Sequence, residues 1–275
     1  MQVPENQRLP AGRWVQSFCK AYGLKDHRRH GEAGSVDLEA VERERARISA
    51  LCKKYHPRDI LNFDETAFFP FAPPDRGLST AQMSGKKKDK FRITLGFLCN
   101  ALGTEKFPIF FIGRYKNPRC FKHRDPQSLG LYYRHNKKAW MKADLFDEFI
   151  RGLDQDMKNQ NREVLLLIDN FSGHTIPYVP HNIRLEPFEP NMTSHVQPLD
   201  AGIIRCFKAH YRRQLCTRAI ELDEAGAEDI YKIDILEAMR MANKAWDAVS
   251  ELTIKHCWDH TKILSYATLF IYSLH

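Results

Sequence analysis

The spacing of apolar residues changes twice along the chain. Between Arg13 and Tyr22 they fall at Trp14, Val15, Phe18 and Tyr22, the spacing of one helical face, and Gly23 stops the run. Past a basic loop, Ser35 or Asp37 is placed to cap a helix over about 38–55, which Pro57 ends. The pattern then shortens. "RDILNFD" (58–64), "FRITLGFLCN" (91–100) and "FPIFFIG" (107–113) read as strands, and the turn residues of "NALGTE" join the last two into a hairpin. Helical spacing returns from about 142 to 158, with Leu145, Phe149, Ile150 and Leu153 on one face. "EVLLLIDN" (163–170) is apolar without a break, as in a strand covered on both faces, and "NIRLEPF" (182–188) is a shorter strand. Pro187, Pro190 and Pro198 mark an irregular loop before helices over about 199–220 and 232–248. "ILSYATLFIYSL" (263–274) is too short to cross a bilayer and reads as a packed helix or strand.

This order predicts an α/β fold, a mixed sheet with helices on its faces. It divides into a small helical piece (1–57), the α/β core (58–220) and a helical C-terminal region (221–275). Asp64 and Asp169 follow apolar strands, and Asp200 opens a helix. Functional groups of α/β sheets gather at the carboxyl ends of strands. Three carboxylates meeting there would repel one another unless a cation compensates, and hard divalent ions take oxygen ligands. Paired ions of that kind serve phosphodiester cleavage. On spacing alone, ordinary helix caps and strand ends explain each acid equally well.

Charge bears on the partner. Lys and Arg outnumber Asp and Glu by 42 to 34, a net +8 that favours an anionic ligand, nucleic acid first. Lys86, Lys87, Lys88, Lys90 and Arg92 stand beside one acid in "SGKKKDKFR", either a solvated turn or a phosphate clamp. Arg205, Lys208 and Arg212 share one face of the 199–220 helix, with Arg213 beside them, and suit a phosphate backbone or plain solvent. Arg28 and Arg29 form a smaller cluster in "HRRH". The seven cysteines form no CxxC pair, which predicts reduced thiols, and no charged-then-apolar leader follows Met1, which predicts an intracellular protein.

Several ordered blocks over about residues 12–220 carry a family resemblance. "NFDETAFF", "LLLIDNFSGH" and "EPNMTSHVQPLDAGIIRCFKAHYRR" resemble the three catalytic blocks of DDE superfamily endonucleases, in the pogo/Tigger branch of transposases with centromere protein B-like and jerky-like relatives. "SGKKKDKFRITLGFLCNALGTEKFPIFFIG" resembles the segment between the first two blocks, and "GLKDHRRHGEAGSVD" the end of the preceding helix-turn-helix. The resemblance implies an RNase H-like core binding two Mg²⁺ or Mn²⁺ ions, with Asp64, Asp169 and Asp200 as catalytic metal ligands. The third acid is Asp where some DDE enzymes have Glu. It also implies DNA as the partner, an oligomer of like chains on DNA, a nuclear setting and no membrane. Glu65 would point to the opposite strand face from Asp64 and support it. Asn170, His174 and Gln197 would orient acids or substrate, or else merely stabilise loops. The expected activity is metal-dependent DNA cleavage and strand transfer. The rival readings are a domesticated or decayed relative that binds DNA without cutting it, and a nuclease for RNA or hybrids.

Overall fold

The computed structural model describes residues 17, 18, 20–22, 37–72 and 91–265. Arg28, Arg29, Lys86, Lys87, Lys88, Lys90 and all but the first residues of the 263–274 run lie outside them. The chain forms two units, 1–35 and 36–275. In the first, residues 17, 18, 20 and 21 are helical, within the expected Arg13–Tyr22 segment.

The second unit is built on a six-stranded sheet of order β4-β3-β2-β1-β5-β6. Its strands are β1 (Ile60–Phe68), β2 (Ile93–Asn100), β3 (Phe110–Gly113), β4 (Tyr132–His135), β5 (Val164–Ile168) and β6 (Ile183–Pro187). β2 runs antiparallel to both its neighbours and the other pairings are parallel. β1, β3, β4, β5 and β6 therefore all point to the same end of the sheet.

Alternation along the strands sorts two cores. Leu61 and Phe63 of β1, with Val164, Leu166 and Ile168 of β5, meet α2 (Ala143–Asn159) through Phe146, Ile150, Leu153 and Met157. Ile60 and Phe68, with Leu165 and Leu167, face the other helices. Those are α1 (Leu38–Cys52), α3 (Ile204–Glu224), α4 (Ile235–Asp247) and α5 (Glu251–Thr261). Asp37 caps α1, accepting from the Glu39 N–H at 3.0 Å. Buried Glu44 and Arg45 tie α1 to the rest, Glu44 accepting from the Glu189 N–H (3.0 Å) and Arg45 donating to the Thr261 carbonyl (2.9 Å).

The α/β class and the 91–113 hairpin stand as the pattern predicts, and four details differ. β1 continues past Asp64 to Phe68, because β2 pairs with it throughout, Asp64 opposite Phe97 and Phe68 opposite Ile93. Asp64 thus sits inside a strand, two residues beyond the last parallel pair with β5, Asn62 and Leu167. β4 is a four-residue edge strand whose polar, short "YYRH" carries little pattern, and α5 is nucleated by the Ser250 cap on the Thr253 N–H (3.2 Å). Asp200 lies in a wide π-helical turn, Leu199–Ile203, that precedes the regular α3.

Asn62 is fully buried where these segments meet. Its Nδ2 donates to the Leu167 carbonyl of β5 at 3.0 Å, and its Oδ1 accepts from the Leu199 N–H at 3.0 Å. Asn62→Ala would strand a carbonyl and an N–H in the interior, each worth about 1–3 kcal/mol. Urea denaturation should therefore show a loss of about 2–4 kcal/mol; a loss under about 1 kcal/mol would mean that the amide is no joint.

Candidate active site

Asp64 points to the α3 side of the sheet, and Glu65, as expected of its neighbour, to the α2 side. The Asp64 carboxylate is buried, and its Oδ1 accepts from the Glu65 N–H at 2.8 Å. The π turn brings Asp200 into hydrogen-bonding contact with it. Burial raises the Asp64 pKa well above the ordinary carboxylate range, and the charges of Asp200, Glu65 and Asp169 add to it. Asp200 is also raised, by burial first and by Asp169, against the lowering effect of its bond to Asp64 and of Lys208 and Gln197. Like charges this close disfavour ionisation of both acids at once, and an opposite charge relieves it. Gln197 is buried; its Nε2 donates to Asp200 Oδ2 at 3.3 Å, and its Oε1 has no partner among the described residues.

Asp169 follows β5 directly and takes a different partner. Beyond Asn62 and Leu167 the strands β1 and β5 no longer pair, and a 3₁₀ turn, Ser172–His174, sets the His174 ring at that gap. His174 Nδ1 lies 2.6 Å from Asp169 Oδ1, and Nε2 lies 3.0 Å from Glu65 Oε2. The ring packs on Phe146 at 4.5 Å and meets Phe63 edge-on at 5.8 Å. Burial alone would lower its pKa, but the hydrogen bonds to Asp169 and Glu65 override this and raise it to about 10. Asn170 is exposed.

The four acids thus split into a pair, Asp64 with Asp200, and a bridge, Asp169–His174–Glu65. Among the described residues no three His, Cys, Asp or Glu gather closely enough to form a ready-made metal cluster. The donor chemistry nevertheless suits a hard cation. Neighbouring, mutually repelling carboxylates such as buried Asp64 beside exposed Asp200 are what Mg²⁺ or Mn²⁺ takes, and Mg²⁺ is commonly held by one or two carboxylates with water and phosphate completing its shell.

Beside the pair runs a groove of about 420 Å³, lined by Thr66, Asp200, Arg205, Lys208 and Arg212 among others. Lys208 Nζ donates to Thr66 Oγ1 at 2.8 Å, and burial lowers its pKa despite the nearby Asp64 and Asp200. Arg213 does not line the groove, and Arg92 lies elsewhere, its guanidinium 5.1 Å from the Trp140 ring. Asn62 and Thr66 escaped the sequence reading, although a period of two from Asp64 puts both on its face of β1.

A family model described as DDE superfamily endonuclease matches residues 90–258. The chain is 30% identical over 272 residues to CENP-B homolog protein 2 of Schizosaccharomyces pombe, covering 92% of this chain and 52% of that protein. It is 29% identical over 245 residues to Tigger transposable element-derived protein 4 of Mus musculus, covering 88% and 47%. It spans about half the length of these relatives. The RNase H-like fold is shared with the crystal structure of the Mos1 Strand Transfer Complex, at a TM-score of 0.54 and 14% identity over 90% of this chain and 66% of that one. Its sheet, its three ordered blocks and these matches agree that the chain belongs to the DDE superfamily endonucleases, among the CENP-B-like and Tigger-derived proteins.

Proposed function

We propose that this chain is a transposase-derived core that cleaves DNA phosphodiesters with divalent metal. The observation that carries the reading is the buried Asp64 carboxylate set beside the exposed Asp200, at a groove that Asp200 lines together with Arg205, Lys208 and Arg212. Asp64, Asp169 and Asp200 are the ligands in this reading. When bound, Mg²⁺ or Mn²⁺ supplies charge neutralisation and activation of the attacking water. Lys208, with Arg205 and Arg212, holds the phosphate backbone beside the acids. His174, with a pKa near 10, keeps its proton at neutral pH, so it serves as a clamp on Asp169 rather than as a general base. Glu65 fixes the clamp from the other ring nitrogen, the arrangement by which outer carboxylates orient inner ligands. Gln197 steadies Asp200. Strand transfer, assembly of like chains on DNA and a nuclear location belong to the same reading.

One observation favours a second reading, DNA binding without cleavage: Asp169 is engaged by His174, whose Nδ1 lies 2.6 Å from its Oδ1. Supercoiled plasmid separates the two. The cleaving core nicks it with Mn²⁺ or Mg²⁺, and Asp169→Asn drops nicking to background. Retarded but intact plasmid under both metals, or equal nicking by Asp169→Asn, would sink the metal-ligand assignment.

The clamp makes its own prediction. His174→Ala should lower nicking about 10–100-fold, the usual effect of losing an outer-shell partner. Stability adds a signature. The folded pKa of His174 is raised, so its contribution is complete below the ordinary value of 6.5 and is lost as pH rises through about 10. Between pH 7 and 10 the parent chain should lose stability relative to His174→Gln in urea titrations. Parallel pH profiles would remove the charged clamp.

A further inference from the structure

The positive charge of the chain is concentrated away from the acids. Residues 114–142 carry nine Lys or Arg against the single acid Asp125, a net +8 that equals the charge of the whole chain. Arg134 is neutralised by Glu148 of α2. Arg114, Lys116, Lys137 and Lys138 pair with no carboxylate among the described residues.

The fold gathers these cations with aromatics. β3 and β4 end side by side, Gly113 opposite His135, and the Asn136 N–H donates to the Gly113 carbonyl at 3.0 Å. The loops leaving the two strands therefore emerge together. Each presents a large ring to solvent, Tyr115 at 59% and Trp140 at 48% exposure. Neither backbone is loose. The Tyr115 carbonyl accepts from the Tyr133 hydroxyl at 2.5 Å, and Thr94 Oγ1 donates to the Ala139 carbonyl at 2.7 Å. Asn136 closes the second loop, its Oδ1 accepting from the Lys138 N–H (3.1 Å) and Trp140 N–H (3.2 Å). Arg92 and Lys138 lie 5.1 and 5.5 Å from the Trp140 ring, and Arg114 lies 6.0 Å from that of Tyr115.

Cations alone suit any phosphate backbone. Fixed, half-exposed rings set among them suit a backbone whose bases have free faces, which a duplex hides and a single strand offers. We propose that this surface binds single-stranded DNA, with Trp140 and Tyr115 stacking on unpaired bases and Arg92, Arg114, Lys116, Lys137 and Lys138 following the phosphates. The proposal rests on the reading that the chain handles DNA. It adds a second contact region at the same end of the sheet as the acids, two to three strand spacings (about 9–14 Å) from β1. A strand frayed next to the cleavage point would reach it.

Fluorescence tests this in EDTA, where cleavage plays no part. Trp246 and Trp258 are 3% and 0% exposed, so a Trp14→Phe chain leaves Trp140 as the tryptophan that solvent reaches. A thymidine oligomer of about 16 nucleotides should quench its emission, and Trp140→Phe should abolish the quench. The double variant Trp140→Ala, Tyr115→Ala should bind that oligomer about tenfold or more weakly, with duplex affinity changed less than about twofold. Saturation by the oligomer with unchanged emission, or equal losses for single strand and duplex, would overturn the proposal and leave the DNA reading standing. Binding of neither DNA at low salt would overturn both.

Discussion

The side chain of Asn62 makes one hydrogen bond to each of two segments remote in sequence, and each segment places an acid within two residues of that bond. Asp64 is two residues beyond Asn62, Asp169 two beyond Leu167, and Asp200 one beyond Leu199. A sheet alone would not bring the third acid in, because Asp200 belongs to no strand. The amide closes that distance without adding charge, and in a fully buried position it can make these bonds in only one arrangement. The register of β1 against β5 and the start of the π turn thus depend on the same group.

Once the acids are gathered, electrostatics shapes what surrounds them. Desolvation and the charges of neighbouring acids raise Asp64 and Asp200. Two cationic groups stand among the four acids, on opposite sides of the sheet. Lys208 approaches from α3, anchored on Thr66, and His174 enters from the loop after β5, held by Asp169 and Glu65. The adjacent acids of β1 therefore serve different ends of one device: Asp64 meets Asp200 on the α3 face, and Glu65 reaches the clamp through the α2 face. Strand alternation separates them, and this is why neighbours so alike in sequence differ in surroundings.

Much of this was legible in the sequence, and the rest was not, for physical reasons. Long apolar runs such as "VLLLI" announce buried strands, and amphipathic spacing announced α2. The opposite facing of Asp64 and Glu65 followed from period-two geometry. What stayed hidden depends on tertiary partners. β1 is longer than its apolar run because β2 pairs with it beyond Asp64, and β4 exists because β3 offers it an edge. The partnership of His174 with both Glu65 and Asp169 spans 109 residues in one direction and five in the other. No local pattern encodes it. Asn62 could have been suspected as a polar residue inside an apolar strand, but its bond to Leu199 spans 137 residues.

Acid and base are segregated along one end of the sheet. The acids cluster at β1 and β5, while the unpaired cations extend along α3, which packs over β1 and β2, and along the loops after β3 and β4. Such a layout would be a poor way to stabilise a fold, because exposed cations that meet no carboxylate contribute little and repel each other. On the proposed reading it is a coherent way to hold a polyanion at a site that needs local negative charge. There the cations would offset the repulsion between phosphate and the acids, and screening acts on the two unequally. Salt weakens the exposed cations, which lie open to solvent, far more than the buried bridge at His174. Raising ionic strength should, on that reading, release DNA from the chain while the arrangement of the acids stays intact, since the bonds that fix it are interior ones.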